Sequence, residues 1–222
     1  MSEEPEYWSD RVLSQGQGDR FDRWVEFLGA LVLAIATVAT AWTAYQAALW
    51  GGDESKFYFE ASAAQVDAAH LESLATQQTG VQTGLFVEYT VAQSAGDEAL
   101  AEFLYQRFPP ELKTATDAWL ATDPLNNPAA PPSPFDMLEY ELPELEEAER
   151  LSELATAKFE EAAEADEYAD EYILLTVIFA TVLFFSGIAG KFQWRIIDGL
   201  VLGMGFVVLV VGLVMLAQMP VQ

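Results

Sequence analysis

The sequence has no cysteine, one histidine and few basic residues, and each shortage excludes a class of chemistry. Without cysteine there are no disulfides and no thiolate metal sites. His70 alone cannot build a familiar zinc site, so we expect it to be a helix-surface or packing residue. Ten Lys and Arg against 35 Asp and Glu make nucleic acid and anionic lipid headgroups poor partners. The sequence also lacks the motifs of phosphate-binding loops, zinc proteases and serine hydrolases.

Three long apolar segments are present, and each is long enough to cross a bilayer as a helix. They cover residues 24–50, 172–190 and 196–217. A helix that crosses the hydrocarbon core needs about 20 residues that are mostly apolar. The acidic N-terminus is unlike a secretory signal, so we expect the first segment to remain as a signal anchor. The sequence therefore predicts a multi-pass membrane protein.

We predict an all-α fold with three transmembrane helices and a long extramembrane helical hairpin between the first two. A heptad-like series of small and apolar residues from Phe57 to Ala92 indicates a coiled-coil-like stalk. A kink near Gly80 and Gly84 is the alternative to one unbroken helix. The predicted divisions are an N-terminal tail (1–23), the first span (24–50), an acidic helical domain (51–171), the second span (172–190), a turn (191–195), the third span (196–217) and a C-terminal tail (218–222).

Basic residues near the span ends indicate an orientation in the plasma membrane. Cytoplasmic flanks of spans carry an excess of Lys and Arg. The large loop has only Lys56 and Lys158 near the spans, whereas the other flanks have Arg11, Arg20, Arg23, Lys191 and Arg195. This bias places the N-terminus and the turn in the cytoplasm, and the acidic domain outside.

The acidic charge is concentrated in residues 53–171, which contain 27 Asp and Glu but five Lys and Arg, a net charge of about −22. Adaptation to high salt explains such a surface, because concentrated counterions screen the self-repulsion. Divalent-cation binding by carboxylates is the alternative explanation. No stretch has the ligand spacing of a calcium loop, so we favour salt adaptation.

Uncharged polar and small residues are the candidate contact sites. In the first span they either pack against neighbouring helices or line a narrow hydrated path: Thr37, Thr40, Thr43 and Gln46. In the stalk they indicate a seam between copies: Gln78, Gln82, Gly80 and Gly84. In the third span they favour tight helix packing: Gly199, Gly203, Gly205 and Gly212.

A further set of residues is typical of the lipid–water interface, where amphipathic aromatic side chains and span-end carboxylates can reach water. We expect four residues to act as interface anchors: Trp24, Trp50, Trp194 and Asp198.

Several stretches resemble a family of three-span prokaryotic membrane proteins that are known as hypothetical proteins. The most specific is the proline-rich block FLYQRFPPELKTATDAWLATDPLNNPAAPPSPF at residues 103–135. The likeness extends to residues 39–63, 74–86 and 183–192. This chain is far more acidic than the family, as a halophilic version would be. The resemblance implies a topology and no activity, so it assigns no functional residue.

Together these observations predict a non-enzymatic membrane protein, with no catalytic, cofactor or metal residues. Its expected role is a scaffold that self-associates, or an accessory subunit of other membrane proteins, through its spans and stalk. The partners expected are therefore the lipid bilayer and either a homo-oligomer or other membrane subunits. The alternative is an oligomeric cation or small-solute channel with an acidic vestibule. A carboxylate-rich sensor domain is a third possibility.

Overall fold

The computed structural model describes residues 6–189, 191 and 194–222, with side chains from residue 23 onward except that of 195. These residues form five α-helices and contain no β-strand. The elements in chain order are α1 (Glu6–Ala95), α2 (Glu98–Tyr105), α3 (Pro110–Ala121), a short 3₁₀ turn (Pro134–Asp136), α4 (Pro143–Ile188) and α5 (Arg195–Leu216). The prediction of an all-α fold is confirmed.

Three of these helices are long and apolar enough to cross a membrane. They are α1, whose apolar segment lies near its N-terminus, α4 and α5. This finding supports a multi-pass membrane protein on length and composition. The type of membrane and the orientation stay predictions.

Helix α1 is longer than the sequence suggested. It begins at Glu6, so most of the predicted tail 1–23 is helical. No proline interrupts the chain between residue 6 and the first span, and the helix can therefore propagate into the polar residues. Gly80 and Gly84 lie within α1, and the helix is not interrupted at either glycine. The helix ends where Gly96 adopts a φ of +75°, which glycine tolerates without strain.

The chain divides into two compact units. The apolar unit comprises the chain up to Phe57 together with Glu160–Gln222, and the polar unit is Tyr58–Phe159. The polar unit contains 18 Asp and Glu against four Lys and Arg. We describe each unit separately.

In the apolar unit, α1, α4 and α5 pack around one buried core. Its members are Val32, Ala36, Ala39, Tyr172, Leu175, Phe179, Val182 and Leu209. Small residues allow α5 to lie close to α4: a Cβ added at Gly205 would lie 3.2 Å from Cβ of Phe185. A Cβ added at Gly212 would lie 2.9 Å from Cε1 of Phe179. These two glycines therefore determine how closely the helices approach.

In the polar unit, α1 and α4 run antiparallel. The rings of Tyr58 and Phe159 lie 5.6 Å apart at one end, and Lys158 forms an ion pair of 3.7 Å with Glu60 beside them. The residues buried along these parts of α1 and α4 are largely alanine: Ala61, Ala64, Ala68, Ala75, Ala148 and Ala155. The predicted heptad-like series thus forms the buried face of α1.

An aromatic core lies in the polar unit near the C-terminal end of α1. Phe86 makes edge contacts with the rings of Trp119 and Phe135, at 5.5 Å and 6.0 Å. The indole N–H of Trp119 donates a 2.8 Å hydrogen bond to the carbonyl of Pro131. The proline-rich segment is therefore an ordered loop that packs on α1 and α3.

Replacing Gly212 with alanine should destabilise the apolar unit, because the new Cβ would overlap the fully buried ring of Phe179. Overpacking of this kind costs ~1–3 kcal/mol. Gly203→Ala is the matched control, since a Cβ there meets no described atom within 4 Å. Unfolding by SDS titration in mild detergent, followed by circular dichroism, measures both variants. Equal midpoints would contradict the packing of α5 on α4.

Candidate functional site

Buried polar side chains mark the places where function or structural specificity can reside. Thr43 and Gln46 are fully buried in the apolar unit. The hydroxyl of Thr176 on α4 donates a 2.8 Å hydrogen bond to that of Thr43, and Thr43 donates to the carbonyl of Ala39. A hydrogen bond between helices in an apolar setting fixes their register, because its loss leaves a polar group without a partner. Thr43 therefore connects α1 to α4.

Gln46 binds the C-terminal segment through both atoms of its amide. Its Nε2 donates to the backbone oxygen of Gln222, and its Oε1 accepts from the backbone N–H of Gln222, both at 3.2 Å. The side chain of Gln222 donates to Asp53 at 2.6 Å. The hydroxyl of Tyr172 donates to the carbonyl of Pro220 at 2.9 Å. These bonds attach residues 220–222 to α1 and α4.

The other two threonines of the first span lie elsewhere on the helix surface. Thr37 is exposed and donates to the carbonyl of Leu33, while Thr40 is half-buried and donates to the carbonyl of Ala36. Steps of three residues drift around an α-helix by about 60° each. Thr43 and Gln46 are therefore both enclosed in the bundle, whereas Thr37 lies on an exposed face of α1.

The two stalk glutamines make intramolecular bonds in the polar unit. Gln82 is almost fully buried; its Nε2 donates to Glu111 at 2.7 Å and its Oε1 accepts from the Tyr140 hydroxyl at 3.0 Å. One turn away, Nε2 of Gln78 donates to Glu144 at 3.0 Å. A seam between copies that used these two amides would have to replace the bonds made within the chain.

A hydrogen bond from glutamine and burial shift the pKa values of two groups at this site. The hydrogen bond from Gln78 lowers the pKa of Glu144, because the donated N–H stabilises the carboxylate. Burial raises the pKa of Tyr140, because the phenolate would lose hydration. At neutral pH the site therefore contains an ionised Glu144 and a neutral Tyr140.

An open groove of about 570 Å³ lies beside these pairs. Its lining includes the apolar residues Leu74, Val81 and Leu85 of α1 and the acidic residues Glu111 and Glu144. Both carboxylates already accept hydrogen bonds from glutamine. Within the described residues, no group of three or more His, Asp or Glu is placed to hold a metal ion. The observed bonds to these two carboxylates hold α1, α3 and α4 together.

The glycines named from the sequence fall on different faces. Gly205 and Gly212 contact α4, as described above, whereas a Cβ added at Gly199 or Gly203 meets no described atom within 4 Å. Gly80 and Gly84 are also exposed, with the same open space. Gly205 and Gly212 therefore lie in the contact between α5 and α4, and Gly199 and Gly203 lie on an open face.

The proposed interface anchors differ in their surroundings. Trp24 and Trp194 are largely exposed, as a side chain at a lipid boundary would be. Trp50 is half-buried and packs on Tyr168, with ring centroids 4.7 Å apart. Asp198 lies half-buried in the first turn of α5, where a carboxylate is favoured by the helix dipole.

Sequence reasoning missed the residues that pair with the named ones: Thr176, Gln222, Tyr140, Glu111 and Glu144. One signal was available for the two glutamates, because the tripeptide Pro-Glu-Leu begins both α3 and α4. Proline favours the first helical turn, and a following glutamate is placed near the helix N-terminus.

Comparisons with protein-family models, curated proteins and solved structures found no match to this chain. The resemblance to a three-span prokaryotic family therefore stays a prediction.

Replacing Thr43 with valine should lower the stability of the apolar unit by ~0.6–2 kcal/mol, because the hydrogen bond between α1 and α4 is lost and Thr176 retains only the carbonyl of Tyr172 on its own helix. Thr37→Val is the matched control, since Thr37 is exposed and bonds to its own helix. Unfolding midpoints in detergent measure the difference. A loss for Thr37→Val as large as that for Thr43→Val would refute the assigned contact.

Replacing Gln82 with leucine should destabilise the polar unit by ~0.5–1.5 kcal/mol, because the half-buried Glu111 and Tyr140 each lose a hydrogen bond, while Tyr140 keeps Thr79 as a partner. Gln77→Leu is the control, because Gln77 is exposed and bonds to Ser73 on its own helix. Thermal unfolding followed by circular dichroism compares the two variants. If both melt like the wild type, Gln82 does not hold the unit together.

Proposed function

We propose that this protein is a non-enzymatic, multi-pass membrane protein that acts as a self-associating scaffold or as an accessory subunit of other membrane proteins. The observation that supports it best is the surface of the polar unit. This unit is strongly acidic, yet several of its large apolar side chains are exposed: Phe59, Val66, Phe103, Leu125 and Leu138. Phe59 and Val66 lie on one face of α1, and exposed apolar side chains that share a face can form a surface that binds another protein.

The buried polar groups support the same proposal. Thr43, Gln46 and Gln82 have intramolecular partners that hold helices or the C-terminal segment in place. Such bonds suit a rigid scaffold, because each specifies one arrangement of the helices. In this proposal the polar unit lies outside the cytoplasm, as the distribution of basic residues predicts.

The threonines weigh against the channel alternative. A hydrated path through the first span would need hydroxyl groups on one surface, but Thr37 is exposed while Thr43 is enclosed in the bundle. Each hydroxyl also donates to a carbonyl of its own helix. The scaffold proposal requires no such path.

The oligomeric state in lipid tests the proposal. The full-length protein, extracted with mild detergent and placed in nanodiscs, should give a mass above that of one 24.5 kDa chain, or co-purify with a membrane subunit. Light scattering after gel filtration measures the mass, and mass spectrometry identifies bound proteins. A strict monomer at every concentration, with no co-purifying subunit, would refute it. Conductance in planar bilayers that Thr40→Val alters would favour the channel instead.

A further inference from the structure

One exposed face of α1 in the polar unit has no charge along its whole length. We define it by positions 59, 62, 66, 69, 73, 77, 80, 84, 87 and 91 and call it the α1 stripe. Steps of three and four residues place these positions on one side of an α-helix. Three of the four acidic residues of this part of α1 lie off the stripe, namely Glu60, Asp67 and Glu72, and the fourth, Glu88, lies at its edge.

The stripe has large apolar side chains near both ends and small or polar residues in the middle. Phe59 is 72% exposed and Val66 is 68% exposed at one end, and Val87 and Val91 are 50% and 55% exposed at the other. The stripe lies opposite the buried alanine face, so the packing against α4 does not use it. Four large apolar side chains that share this uncharged face make it a candidate contact surface.

The centre of the stripe contains two glycines that the chain itself does not require. A Cβ added at Gly80 or Gly84 meets no described atom within 4 Å, so alanine would fit at either position. Glycine within a helix is less favourable than alanine, because the unfolded chain has more conformational freedom at glycine. Glycines one turn apart on an exposed face allow the backbone of a second helix to approach closely.

We propose that the α1 stripe binds the α1 stripe of a second copy of this chain, with the two helices parallel. This inference rests on the proposed function of self-association. A basic partner would be drawn to the acidic surface of α4, which has five glutamates between positions 144 and 153. The uncharged stripe is the side on which two copies of so acidic a unit repel each other least.

The direction and length of the α1 stripe are suited to contact with the stripe of a second copy. Helix α1 also contains the first candidate span, so two copies inserted in the same orientation present their stripes in parallel. A two-fold axis then pairs each residue of the stripe with its equivalent. The stripe is about 48 Å long, and a contact roughly 10 Å wide would bury on the order of 1,000 Å² in total. That area is near the lower bound for a specific interface.

Disulfide cross-linking tests the contact directly, because the chain has no native cysteine. Ser73→Cys and Gly84→Cys place one thiol on the stripe. The matched controls Glu72→Cys and Thr83→Cys place it on exposed positions roughly a quarter turn away. Under mild oxidation of the full-length protein in membranes, the stripe variants should give at least fivefold more covalent dimer. Equal or greater dimer from the controls would overturn the proposal.

A pair of charge variants separates this inference from the proposed function. Val66→Glu with Val87→Glu adds two charges to the stripe, and Gln65→Glu with Thr83→Glu adds two beside it. Light scattering in nanodiscs should show that the stripe variant loses self-association and the control retains it. If both variants remain associated, the stripe is not the contact surface, although the protein still self-associates. If the wild type itself is monomeric, both self-association and the stripe fail.

Circular dichroism shows whether the stripe variant still folds. Val66 and Val87 are exposed, so their replacement should leave the helix content and melting temperature unchanged. If the variant misfolds, the cysteine experiment still decides, because it alters the stripe by one small residue at a time.

Discussion

Alanine occupies most of the buried positions of α1 and α4 in the polar unit, so the two helices meet with little more than methyl groups between them. Each alanine buries little apolar area, and its contribution to stability is correspondingly small. Close approach compensates in part, because the two backbones gain dispersion contacts along the seam. A seam of this kind must be long, and polar or aromatic contacts must fix its register.

Those contacts are found beyond the alanine-lined part of α1. Gln78 and Gln82 hydrogen-bond to glutamates at the beginnings of α4 and α3. The aromatic core around Phe86 then packs the proline-rich loop onto the end of the unit. In the apolar unit the hydrogen bonds of Thr43 and Gln46 fix the register of the helices. Such bonds are needed because apolar packing alone distinguishes poorly between registers in lipid.

The sequence was sufficient to predict the three apolar helices and the buried series of the stalk, because length and periodicity determine both. It did not predict which face of a helix meets which neighbour. Gly199 and Gly203 have the familiar spacing for close packing, yet Gly205 and Gly212 are the ones that contact α4. Partners distant in sequence, such as Thr176 for Thr43, depend on tertiary structure that spacing does not encode.

The central claim is that two parallel α1 helices pair through the face opposite α4. Distances between nitroxide labels test it in the intact protein in nanodiscs, with labels on Gln65→Cys or Thr83→Cys. These positions lie on the same flank of α1, about five turns apart, and neither belongs to the stripe. A parallel pair with helices ~8–10 Å apart gives the same short distance at both positions. No dipolar coupling at either position, or clearly different distances at the two, would contradict the account.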